Sequence, residues 1–150
     1  MAQRSIPIGT IDFAKVIAEK MNEGMAAALE IVRKENFLKS EAPEDQALKA
    51  ALQVEVDTLV KECRRTAEYF ILNKKQASFS ALLLCGLGAE MPGLTEAMNE
   101  LMDTKVKSFH VLDKVNFDSR FEKKKVEINA PLLAVAIGAA MAGGEEYAAH

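Results

Sequence analysis

The chain has no tryptophan, only two cysteines, two histidines and four prolines among its 150 residues, and no surplus of positive charge. Each shortage excludes something. His110 is expected on a strand and His150 is the last residue, so no histidine-rich metal cluster is expected and no metal site is assigned. Cys63 and Cys85 lie in apolar surroundings without C-x-x-C spacing. A chain of this length does not need a staple, so both are expected to be buried, inert thiols rather than a disulfide. The formal net charge of −3, with no dense basic stripe, argues against nucleic acid as a partner. No apolar run reaches the roughly 18–20 residues of a membrane span, so no transmembrane segment is expected. The opening "MAQRSIPIGTIDF" has no apolar signal region, and a cytoplasmic location is the simplest expectation. Catalytic chemistry is missing too. No serine or cysteine has a histidine suggestively placed, no carboxylate pair sits in apolar context, and no G-x-x-x-x-G-K-[ST] loop occurs. No catalytic residues are assigned.

What remains is ordinary for a globular domain: 49% apolar and 27% charged residues, enough to bury a core. "RSIPIGT" is a short β-like stretch, and Thr10 or Asp12 could cap the helix that follows, with Phe13, Ile17 and Met21 four apart on its core side. Gly24 breaks that helix, and a second one places Met25, Leu29 and Val32 on one face, making a helical hairpin. "LKSEAPEDQ" reads as a loop with Ser40 or Asp45 as cap. The longest element is expected from about Glu44 to about Leu72, where Leu48, Leu52, Val56, Leu59, Cys63, Ala67 and Phe70 step by three or four. "SFSALLLC" is short and uniformly apolar, which predicts a central strand covered on both faces. A helix follows with Leu94, Met98 and Leu101 inward, then a strand, "KVKSFHVL", with Val106, Phe109 or Val111 inward. Strand, helix and strand make a β-α-β unit with parallel strands and a right-handed crossover. Residues 113–129 read as a loop, and "APLLAVAIGAAMAGG" as a buried helix entered at Pro131. The class is α/β.

Between the first strand and its helix stands "GLGAEMPGL". Gly86 and Gly88 would let a flat ring or a ribose lie against bare main chain. A strand-to-helix corner needs glycine in any case, so the spacing leaves both readings open.

The surroundings add a resemblance. "IPIG", a helix, "AALEIVRK", a long helix ending "ECRRTAEYF", "LLLCGLGAEMPGL", a helix, a strand and "PLLAVAIGAAM" follow one another in an order that resembles the C-terminal lobe of the PilM-like type IV pilus assembly proteins. The likeness covers nearly the whole chain, with a more distant likeness to the cell-division protein FtsA. It implies a part of an actin-like (ribonuclease H-like) lobe. Residues 1–150 would be a single partial domain with a small sheet, a β-α-β unit and helices including one long one. Such proteins belong to a nucleotide-clasping ATPase superfamily. The resemblance implies an adenosine motif at Gly86, Leu87, Gly88 and Ala89, with Glu30 and Arg33 as polar contacts across the base.

Two departures bear on that site. The family usually has adjacent glycines where this chain has Gly86-Leu87, and an Ala-Glu pair followed by lysine where it has Ala28-Leu29 and Val32. Both imply weakened nucleotide binding. The resemblance also places the phosphate loops upstream of "RSIPIG", so ATP is expected to bind only with a second lobe and none to bind tightly to this chain alone. The implied role is a cytoplasmic scaffold of type IV pilus assembly or related type II secretion, not an enzyme. It would be peripheral to the inner membrane and would contact a PilN-like inner-membrane platform protein. An active FtsA-like ATPase lobe and a ligand-free α/β interaction module are the alternatives. An unsatisfied strand edge at "RSIPIG" would invite self-association.

Overall fold

The computed structural model describes residues 4–74 and 79–109, with residue 112, residues 133–134 and residues 136–140. Within them the chain is mostly helical, with one small parallel sheet. Helix α1 (Thr10–Met21) and helix α2 (Met25–Lys34) pack as the expected hairpin. The hairpin turns at Asn22, whose φ of 55° is left-handed, a conformation asparagine tolerates better than most residues. Two short 3-10 turns, Phe37–Lys39 and Pro43–Asp45, lead into helix α3 (Gln46–Lys74). Strand β1 (Leu82–Leu84), the 3-10 turn Leu87–Glu90, helix α4 (Leu94–Leu101) and strand β2 (Val106–Ser108) complete the β-α-β unit. The strands are parallel, with Leu82 opposite Val106 and Leu84 opposite Ser108.

Helix α3 is the spine. Leu48, Leu52, Val56 and Val60, four apart on one face, are buried against α1 on one side and α4 on the other. Phe13, Ala14 and Ile17 of α1, Ala28 and Val32 of α2, Leu94 and Met98 of α4 and Val106 of β2 close the same core.

Several expectations are corrected. Residues 4–9 form no strand. Helix α1 is capped at Gly9, not Thr10; the Asp12 carboxylate contributes from inside the first turn. Met21 and Met25 flank the hairpin turn and stay exposed, at 42% and 40%, because a helix end extends beyond the element it packs on. The long helix begins at Gln46, since Pro43 holds the preceding turn in 3-10 form. β1 is covered on one face rather than two: Leu82 and Leu84 pack against the core while Leu83 is 55% exposed, as the pleat of a three-residue strand requires. Cys85, one residue beyond the strand, is exposed, and Cys63 is half-buried; both are free thiols. Phe109 is exposed and Val106 is the inward residue of β2. Residues 133–134 and 136–140 are helical, but Ala136, Gly138, Ala139 and Ala140 are exposed; a helix apolar on every face is buried only when surrounded, and the described chain does not enclose these residues. His110, Val111, the 113–129 loop, Pro131 and His150 lie outside the described residues.

One side chain ties the end of α4 to β2. The Asn99 amide donates to the Thr95 carbonyl (2.9 Å) and to the Val106 carbonyl (2.8 Å), and its oxygen accepts from the Val106 N–H (2.8 Å). Asn99 thus pairs with the first residue of β2 as a neighbouring strand would. Asn99→Asp keeps the acceptor, loses both donations and sets a charge beside two carbonyl oxygens. The expected loss is roughly 1–2 kcal/mol at neutral pH. These carbonyls raise the folded-state pKa of the new carboxyl, so the loss is full above that pKa and shrinks as pH falls through it, when the protonated acid donates again. Urea unfolding of both proteins at neutral and acid pH measures this; an equal loss at the two pH values would contradict the donor role.

Candidate functional site

Three stretches that are remote in the chain meet around one open groove of about 830 Å³. Ile6 to Asp12 form one wall, Ala26, Leu29, Glu30 and Arg33 a second, and Leu87 the third. Local sequence explains each.

The first wall turns where α1 starts. Gly9 donates its N–H to the Asp12 carboxylate (3.0 Å), and the Asp12 N–H donates to the Gly9 carbonyl (2.9 Å). Lys15, one turn on, donates to the same carboxylate at 3.0 Å. That bond, and then the Gly9 N–H, hold the Asp12 carboxyl below its ordinary pKa. The second wall follows from helical spacing. Ala26, Leu29 or Glu30, and Arg33 recur on one face of α2, while Ala28 and Val32 face the core. Glu30 accepts from Lys34 at 3.0 Å and lies 4.0 Å from the Arg33 guanidinium. The Lys34 bond is the main reason its carboxyl is held low, so Glu30 is ionised across the neutral range.

The third wall depends on glycine. Gly86 has φ of 89°, a region side-chain-bearing residues rarely adopt, and it starts the 3-10 turn in which the Ala89 N–H donates to the Gly86 carbonyl (3.1 Å). The Ser108 hydroxyl holds this turn to β2 by donating to the Ala89 carbonyl (3.3 Å). Gly88 faces Thr10, and a Cβ there would lie 3.2 Å from the threonine Oγ1. The missing side chain at Gly88 therefore lets the turn sit against the first residue of α1, and this docking carries Leu87 into the groove.

Of the residues the sequence singled out, the fold brings Glu30, Arg33 and Leu87 to one groove. Gly86, Gly88 and Ala89 are half-buried and build the turn behind it without lining it. Sequence reasoning missed Thr10, Ile11, Ala26 and Leu29. The signal for Thr10 was the Gly9 cap, and for Ala26 and Leu29 the i, i+3/i+4, i+7 spacing with Glu30 and Arg33.

The groove has the volume usual for small-molecule sites, with mostly apolar walls and a few charged groups at one side. An ionised carboxylate accepts hydrogen bonds only, so Glu30 suits an amine-bearing edge, and Arg33 donates to oxygen. The donor set fits a base and a ribose. It offers little to a phosphate, because the Gly9 N–H is committed to Asp12 and, among the described residues, Arg33 is the only cation in the lining. Among the described residues, no group of three or more His, Cys, Asp or Glu side chains could hold a metal ion. No described helix is long and apolar enough to cross a membrane.

No curated protein matches the chain. A family model described as "Type IV pilus assembly protein PilM" matches residues 15–143, which include α2, α3, the glycine turn and the whole β-α-β unit. The chain therefore belongs to the type IV pilus assembly protein PilM family.

Proposed function

We propose that the chain is a scaffold component of the type IV pilus assembly machinery that acts by protein–protein contacts and retains half of an adenine-nucleotide site. Its fold would be part of an actin-like lobe. Its place would be the cytoplasmic side of the inner membrane, reached through a PilN-like platform protein. ATP would be held by its base and ribose, with Glu30 accepting from the exocyclic amine, Arg33 donating to a ring or ribose oxygen or nitrogen, and Leu87 packing on the ring face. A second lobe would supply phosphate contacts. The chain by itself is assigned no hydrolysis.

One observation carries the nucleotide part of this reading: Leu87 of the glycine turn, remote in sequence from α2, lines one groove of suitable size together with Glu30 and Arg33 of that helix. A fluorescent ATP analogue titrated into the purified protein tests it. The half-site by itself should bind weakly but saturably, through base and ribose, and Arg33→Ala should weaken that binding about ten-fold or more, the scale of a lost hydrogen bond to a charged donor. No binding, or binding indifferent to Arg33→Ala, would remove the nucleotide from the proposal and leave the ligand-free scaffold.

A further inference from the structure

A second cavity, about 290 Å³, is lined by Cys63, Ala67 and Phe70 of α3, by Leu82 of β1 and by Phe79 and Met102. Ile6 lines both this cavity and the groove, and among the described residues it is the one common to the two linings. The segment that carries Ile6 is fixed at its ends. Arg4 pairs with Glu62 and donates to the Thr66 hydroxyl (3.0 Å), and Gly9 is held by Asp12. Residues 5–8 between those anchors belong to no helix or strand.

We propose that Ile6 is a movable partition, so that filling the cavity shifts the arm and lowers the affinity of the groove. The regulated site is the groove of the nucleotide reading, on which the affinity part rests. The physical reason is unequal stiffness. Cys63 and Ala67 are carried by an unbroken helix and Leu82 by a paired strand, and Phe70 and Phe79 brace each other edge to face at 6.4 Å. Among the described residues, the arm has no ladder of backbone hydrogen bonds to resist displacement. Atoms added to the cavity are therefore accommodated at Ile6, and Pro7, Ile8 and Gly9, which line the groove, move with it.

Cys63 offers a way to fill the cavity chemically, in a Cys85→Ser background and at alkaline pH, because burial pushes its thiol pKa up. After complete alkylation with iodoacetamide, verified by mass, two quantities are read: the affinity for a fluorescent ATP analogue and the hydrogen exchange of the Gly9 amide, which the Asp12 carboxylate protects. The expected result is an affinity lower by about five-fold or more, the lower range of site-to-site coupling, with faster exchange at Gly9. Both effects should nearly vanish when Ile6→Ala is added. Complete alkylation that changes neither quantity overturns the partition. Faster exchange that depends on Ile6, in a protein that binds no analogue even before alkylation, supports the partition and rejects the nucleotide reading. Should circular dichroism show that alkylation unfolds the chain, Ala67→Met fills the same cavity genetically and is judged by the same two readings.

Discussion

Leu52→Ala is expected to cost roughly 3 kcal/mol of folding stability, within the range for leucine truncation in a close-packed interior. Leu52 is 0% exposed at the middle of the α3 stripe, between Leu48 and Val56. Its neighbours on the other elements are held by their own helices and cannot all move in, so the loss combines transfer to water with an unfilled void. Val54, on the same helix but 60% exposed, is the control, and Val54→Ala should stay within about 0.5 kcal/mol. Urea unfolding with an unchanged denaturant slope would measure both. A Leu52→Ala loss below about 1 kcal/mol would mean that α3 does not carry the core as described.

Gly93→Ala should cost roughly 2–3 kcal/mol, and for a different reason. Gly93 precedes α4 with φ of 84°, where any Cβ is strained. The added carbon would also overlap the Asn36 Oδ1, and something must shift to relieve it. That oxygen accepts from the Lys39 N–H at 3.2 Å and caps the 3-10 turn Phe37–Lys39. Moving Asn36 aside would therefore surrender the cap, while leaving it in place would push α4 from Leu38 and the core. The double variant Gly93→Ala with Asn36→Ala separates the two contributions. It should lose less than the sum of the single losses, because the overlap is gone while the strained φ remains. Strict additivity would show that the two residues do not meet.

These two positions also mark what could be read from the letters alone. Leu52 was legible: the four-residue steps from Leu48 to Val56 define a helix face, and that face is buried, although further along Val60 is buried in place of Leu59 and the rest of the expected stripe is only half-buried. The β-α-β unit was legible as well, β1 from its short apolar run and α4 and β2 from their own periodicity. The Asn36–Gly93 approach was not, because it joins a cap on one turn to a corner far along the chain. Periodicity also fails at the ends of elements. Met21 and Met25 continue the apolar spacing of their helices, yet no element extends far enough to cover them. Leu83 was misread because an apolar run of three cannot say whether a second layer exists above the strand. The resemblance pointed to two segments, and Glu30, Arg33 and Leu87 of these line one groove, while Gly88 faces Thr10. A glycine marks a place where something comes close to the backbone; only the fold says what.

The order in which contacts can form follows from where the groove's walls lie in the chain. β1 and β2 are joined through a single short helix, and α1 and α2 by a tight turn, so each pair closes a short loop at small entropic cost. Loop-closure entropy therefore leads us to expect Ile6 and Leu87 to come together only after both of these units have docked on α3. The groove is then expected to be a late structure. A reporter attached inside it would follow the arrival of the finished molecule, whereas one on the helical hairpin would respond to its earliest compact turns.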